Sequence, residues 1–217
     1  MKVAIIGGTG YGAAELVRFL DNHPFVELDT IISHSQSGLE LSEVYPHTND
    51  VINITMEALD IEKLSGKVEL VFFATPSNVS KDMIPEFLEH GLTCIDLSGD
   101  FRLKTPEVYE KWYKSTPADQ AYLDQAVYGL SEINGDQVKG ASLIANPGCY
   151  PTATLLALMP IINQDFIHKQ SIIIDAKTGV SGAGRGLSLN AHFSETNENL
   201  KAPVSSRCGK RDAIPNC

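Results

Sequence analysis

Several stretches of this chain combine residue types and spacing that could do chemistry. The first runs Ala145-Asn146-Pro147-Gly148-Cys149-Tyr150-Pro151-Thr152-Ala153 and puts a thiol on a tight turn. Pro147 bars helix before the turn, and Pro151 has its φ preset for a first helical turn after it. Gly148 removes a side chain beside the sulfur, so a ligand can approach the backbone there. The N–H groups and positive end of a following helix would favour a thiolate, the nucleophilic form of cysteine. A small apolar residue filling a core gap fits the same position, and one cysteine does not decide between the two.

The second stretch is Gly7-Gly8-Thr9-Gly10-Tyr11-Gly12-Ala13. Gly7, Gly10 and Ala13 give the spacing G-x-x-G-x-x-A. Gly7 would make a tight turn, Gly10 would let the backbone meet a pyrophosphate, and Ala13 would let a helix pack closely on a sheet. The phosphates would lie on the helix N-terminus. NAD enzymes place an acid at the tip of the second strand, on the ribose 2′-OH. Here that tip reads Ser33-His34-Ser35-Gln36-Ser37. Hydroxyls at Ser33 and Ser35 without a carboxylate favour a 2′-phosphate, hence NADP, although the stretch holds no Arg to pair with it.

The third candidate is Arg102, in Ser98-Gly99-Asp100-Phe101-Arg102 after an apolar run. Ligands of open α/β sheets sit beyond the carboxyl ends of strands, where a guanidinium fork would grip a phosphate or carboxylate. An ion pair with Asp100 is the competing reading. The fourth is Lys177-Thr178-Gly179-Val180-Ser181-Gly182-Ala183-Gly184-Arg185-Gly186, a donor-rich glycine loop that could close on a ligand or simply turn at the surface.

The elements around these stretches must position them. Lys2–Ile6 reads as a buried parallel strand, Ala14–Leu20 as an amphipathic helix that ends before His23-Pro24, and Phe25–Ile32 as a second strand. That order is β-turn-α-β, the opening of a dinucleotide-binding fold. Strands are expected at 68–74, 93–97 and 141–144, and helices at 79–89 and 105–114. Gly91 should stop the helix before it, and Thr75-Pro76-Ser77 should meet the cofactor crevice. Cys94 falls inside a strand and reads as core. Residues 154–159 form a helical run after Cys149, and 171–176, Ser-Ile-Ile-Ile-Asp-Ala, reads as a further strand.

Composition sets the outer bounds. The chain has 217 residues with 43% apolar and 20% charged side chains, an ordinary globular balance. A net charge of -10 argues against nucleic acid and anionic membrane as partners. Cys94, Cys149, Cys208 and Cys217 fit no zinc or disulfide-scaffold spacing, so no metal site is expected. No signal peptide or membrane span is legible, and a reducing, cytoplasmic setting is expected.

Five motifs in fixed order resemble those of N-acetyl-gamma-glutamyl-phosphate reductases. They are the 7–12 glycine turn, Asp96-Leu97-Ser98-Gly99-Asp100-Phe101-Arg102, Tyr128-Gly129-Leu130-Ser131-Glu132, Asn146-Pro147-Gly148-Cys149-Tyr150-Pro151-Thr152, and the 177–185 loop. The likeness runs from residue 1 to about residue 201. It implies the NADPH-dependent conversion of N-acetyl-glutamyl phosphate to the semialdehyde, in arginine biosynthesis. By resemblance, Cys149 attacks the acyl phosphate, phosphate leaves, and the thioester accepts hydride. Arg102 would hold the substrate, with Ser98 and Asn146 beside it. Gly7, Thr9, Gly10, Tyr11, Gly12, Ser33, Ser35, Ser181 and Gly182 would contact the cofactor. The implied fold is α/β: a Rossmann-type doubly wound parallel sheet plus a partial second α+β domain. The family is oligomeric, so a homo-oligomer is expected. A related reductase acting on N-acetyl-aminoadipyl phosphate or aspartyl phosphate is the alternative reading, because the motifs do not set substrate chain length.

The likeness fades near Ala202. Family members continue into a His-rich segment whose histidine is the expected acid/base, whereas 203–217 holds no His and no apolar periodicity. We therefore expect an NADP-binding domain at 1–147, a partial catalytic and oligomerisation domain at 148–202, and a poorly ordered non-family tail at 203–217, as from a frameshift or an alternative ending. A catalytically dead nucleotide-binding fragment is the reading from another class. His192 is the nearest substitute base, and a structural neighbour of the loop is the plainer reading of it.

Overall fold

The computed structural model describes residues 1–164, 167–186 and 188–196. The expected tail at 203–217 lies outside the described residues. In chain order the elements are β1 (Lys2–Ile6), α1 (Tyr11–Asp21), β2 (Glu27–Ile32), α2 (Leu41–Val44), α3 (Ile61–Ser65), β3 (Leu70–Phe73), α4 (Ser80–Glu89), β4 (Thr93–Asp96), α5 (Pro106–Tyr113), α6 (Gln120–Gln125), β5 (Val127–Tyr128), α7 (Ser131–Val138), β6 (Leu143–Ala145), α8 (Cys149–Leu158) and α9 (Phe193–Thr196).

The strands form one parallel sheet of order β2-β1-β3-β4-β6-β5. Parallel strands need crossovers, and helices return the chain over the faces. β1 lies in the interior, so both its faces are covered and its sequence is apolar without alternation. Val3 and Ile5 join Ala13, Val17 and Leu20 of α1 in one cluster. Ala4 and Ile6 join Phe73, Ile84 and Phe87 in the other. That split is the period-2 geometry of a strand feeding two cores at once. The strand order reverses between β1 and β3, which opens a crevice beyond their carboxyl ends.

Several expectations are corrected. β2 begins at Glu27, and Phe25, expected inside it, is 79% exposed. Val127 and Tyr128 form an edge strand paired with Ile144 and Ala145. Gly91 does follow its helix, with φ +78. The strand expected at 171–176 is absent: Ser171 closes a 3-10 turn, and no regular structure follows until Val180. A strand is completed by hydrogen bonds to a neighbour, and among the described residues none pairs with this run. Ile173 stands 89% exposed.

The chain divides into two compact units at the Gly148–Cys149 junction. The first contains the whole sheet. In the described part of the second, α8 carries apolar residues on all sides and none of them is buried. Among the described residues, no helix is long and apolar enough to cross a membrane.

Candidate active site

The glycine turn is built by close backbone packing. Gly7 has φ +90, and a Cβ there would lie 2.6 Å from the Ala74 carbonyl oxygen. Both Gly7 N–H and Gly8 N–H donate to Ile32 O, at 3.0 and 3.1 Å. Ala74 N–H donates to Ile6 O at 2.8 Å. The tips of β1, β2 and β3 thus converge on the turn. Gly10 caps α1 with no side-chain hydrogen bond, and the first turn of α1 carries no acidic residue. The initial N–H groups of a helix lack intrahelical partners, so this end suits an anion. Around Gly12 nothing lies within 4 Å of a built Cβ. Thr9 accepts Tyr45 OH at its carbonyl, at 2.9 Å, and Tyr11 is 44% exposed.

At the neighbouring strand tip, Thr75 Oγ1 is buried without a hydrogen-bond partner. A buried hydroxyl left so costs about 1–3 kcal/mol, and a bound polar group would recover it. The orphaned hydroxyl, the side-chain-free turn and the open helix end together fit a dinucleotide. At the tip of β2, Ser33 is buried and its Oγ accepts from Gln36 N–H at 3.2 Å, while His34 and Ser35 are exposed.

Arg102 is the centre of a second cluster, at the tips of β4 and β6. Its Nε donates to Asn146 O at 2.8 Å and its Nη2 to Leu97 O at 2.8 Å. Asn146 Nδ2 donates to Pro147 O. The ion pair with Asp100 that the sequence allowed does not form. Asp100 is fully buried and takes Asn78 N–H, Ser80 Oγ–H, Lys81 N–H and Tyr109 OH instead. Ser98, expected at the substrate, is buried, and its hydroxyl donates to Asp96 at 2.8 Å and lies 2.8 Å from Ser80 Oγ.

This buried polar network escaped the sequence reading. Asp96 sits at the end of β4 and is fully buried. Burial pushes its carboxyl up to about 6, against the opposing pull of the Ser98 N–H and hydroxyl. Burial and the nearby Asp100 charge raise Tyr109. Tyr113 stacks on Tyr109 at 4.5 Å and presses on Gly99, where a Cβ would lie 2.2 Å from the ring. Burial raises Tyr113 also, and the adjacent Arg102 charge opposes the rise. No periodicity announces such a network; the carboxylates inside Asp96–Arg102 were the available signal.

Cys149 is the first residue of α8 and is exposed, whereas Cys94 is buried. Burial pushes the Cys94 thiol up to about 12, which removes it as a nucleophile. The helix starts before the apolar run that announced it, with Pro151 in its first turn as expected. Ser181 and Gly182 lie in an exposed 3-10 turn, Val180–Ala183, of the second unit. His192 precedes α9 in the same unit.

Comparison with known proteins bears on this arrangement. Residues 2–141 match the NAD binding domain of semialdehyde dehydrogenase, and residues 149–203 match the semialdehyde dehydrogenase dimerisation domain. N-acetyl-gamma-glutamyl-phosphate reductases of Geobacillus sp. (strain WCH70) and Geobacillus thermodenitrificans are 52% and 54% identical over 201 residues, 93% of this chain. The chain spans 58% of the length of each. Aspartate semialdehyde dehydrogenase II of Vibrio cholerae, complexed with ASA, superposes with TM-score 0.54 at 20% identity, over 75% of this chain and 46% of its own. The Candida albicans aspartate semialdehyde dehydrogenase with NADP gives 0.51 at 17%, over 74% and 46%. Those structural likenesses carry the fold alone; the domain matches and the motif-bearing relatives carry more, and by them this chain belongs to the semialdehyde dehydrogenase family.

Proposed function

We propose that the chain takes part in the NADP-dependent reduction of N-acetyl-glutamyl 5-phosphate to N-acetyl-glutamate 5-semialdehyde, through a thioester on Cys149. The observation that carries this reading is the exposed cysteine at the first position of a ten-residue helix. Cys149 Sγ forms a bond to the acyl carbon, and the C–O bond to phosphate breaks with its electron pair on the leaving oxygen. NADPH held at Gly7, Gly10 and the α1 N-terminus would supply the hydride for the thioester carbon. Collapse of the C–S bond then returns the electron pair to sulfur and frees the aldehyde. Arg102 holds an anionic group of the substrate, since its charge faces no carboxylate at ion-pair distance among the described residues. Gly7, Gly10 and the α1 N-terminus seat the pyrophosphate, and Thr75 adds a hydroxyl there. The absence of a carboxylate at Ser33–Ser37 supports NADP over NAD, and the Candida albicans relative in fold was solved with NADP. The match of 149–203 to a dimerisation domain supports a homo-oligomer.

The relatives at 52% and 54% identity favour the N-acetyl-glutamyl substrate over its aminoadipyl and aspartyl counterparts. A second reading, cofactor binding without turnover, is supported by the unburied α8 and by Ile173, 89% exposed in the same unit. One assay separates them: NADP reduction by N-acetyl-glutamate semialdehyde and phosphate, with Cys149→Ser as control. Turnover lost in the variant supports the reductase. Cofactor binding with no turnover in either chain supports the silent fragment.

A further inference from the structure

We propose that Asp100 is a positioning residue that keeps the Arg102 guanidinium available for an anion by being sequestered from it. The inference rests on the reading of Arg102 as the substrate's anion anchor. A buried carboxylate two residues from an arginine would ordinarily be neutralised by it, and the pair would then bind no further anion. Here the carboxylate is satisfied elsewhere. Asp100 Oδ1 and Oδ2 each lie 2.9 Å from Asn78 N, Oδ1 takes Tyr109 OH at 2.9 Å, and Oδ2 takes Ser80 Oγ–H at 3.0 Å and Lys81 N–H at 3.3 Å. Two of these groups, Ser80 and Lys81, open α4, so the carboxylate also meets the positive end of a helix.

Four neutral donors therefore tie the turn after β4 to three places: the turn after β3, the start of α4, and α5. The turn runs on from Asp100 through buried Phe101 to Arg102, whose own N–H approaches Gly99 O at 3.4 Å. With the backbone so fixed, the guanidinium spans from Leu97 O to Asn146 O and uses two of its N–H groups. Three remain for a ligand or for the Tyr113 hydroxyl beside it. Phosphate or carboxylate oxygens match that donor set.

The test uses the full chain and NMR of arginine Nε–H groups, with the Arg102 signal identified by its loss in Arg102→Lys. Inorganic phosphate is the probe. In the native chain the Arg102 Nε–H should exchange slowly, because it is bonded to Asn146 O, and should shift with phosphate. Asp100→Asn leaves one acceptor for four donors, and exchange at Arg102 should rise about tenfold or more while backbone amides of β1 and β3 stay protected. Tyr109→Phe removes one donor and should move the same signal less; it decides the matter if Asp100→Asn does not fold. Unchanged Arg102 exchange in a folded variant overturns the positioning role, whatever phosphate does. Faster exchange in the variants, with no phosphate response in the native chain, upholds positioning and overturns the anion-anchor reading instead.

Discussion

Two strand–turn–helix units in this chain look alike in sequence and differ in what surrounds them. In the first, β1 passes through Gly7–Gly10 into α1. In the second, β6 passes through Asn146–Gly148 into α8. α1 is amphipathic, burying Ala13, Val17 and Leu20 and leaving Glu15 and Arg18 in water. α8, Cys-Tyr-Pro-Thr-Ala-Thr-Leu-Leu-Ala-Leu, has no charged residue and buries none of its side chains. A helix apolar all round belongs inside something larger. The contrast separates a glycine turn whose helix is packed within its own unit from a cysteine turn whose helix requires more cover than the described residues supply.

The largest expected effect is on the first turn. Gly7→Ala meets both a positive φ and a carbonyl oxygen at 2.6 Å; we expect a loss of about 3–4 kcal/mol and of NADP binding, read by denaturant unfolding and cofactor fluorescence. Leu20→Ala should cost about 2–4 kcal/mol, since Leu20 is 7% exposed. Its counterpart Leu155→Ala, at 38% exposure, should cost under about 1 kcal/mol. Equal losses would show that α8 is covered in solution, and a loss that grows with protein concentration would assign the cover to a second copy.

Next comes pH. The Asp96 carboxyl is raised from 3.8 to about 6 in the fold, so the folded state holds its proton more tightly than the unfolded chain. Stability from this group is therefore present below about pH 4 and is lost as pH rises to about 6. The loss is up to about 3 kcal/mol, and Asp96→Asn should flatten that slope in urea titrations between pH 4 and 6. A slope unchanged in the variant would refute the shift. The smallest effect is Gly12→Ala, in open space within α1. It should stabilise by about 0.5–1 kcal/mol yet weaken NADP binding, if the backbone there meets the pyrophosphate.

Much of this arrangement is legible in the amino-acid sequence. Lys2–Ile6 followed by Gly7, Gly10 and Ala13 announces β1, its turn and α1, because apolar runs and side-chain-free positions are local signals. Arg102 and Cys149 are legible as positions after strands. Val127–Tyr128 is not, since a two-residue strand is defined by its partner in β6 and not by its own pattern. The reverse error occurs at 171–176, where β-branched residues read as a strand but lack a neighbour among the described residues. The Asp96–Ser98–Ser80–Asp100 network is hidden for a related reason: its members lie on three elements, and their burial is a tertiary property.

The reading of the site stands or falls on whether Cys149 carries the acyl group. Intact-mass spectrometry of the chain mixed with N-acetyl-glutamyl phosphate, followed by peptide mapping, tests this without any need for hydride transfer. We expect one acyl adduct on the Cys149 peptide, with equivalent phosphate release, and neither in Cys149→Ser. An adduct on another residue, or acylation that persists in the Cys149→Ser chain, would contradict it.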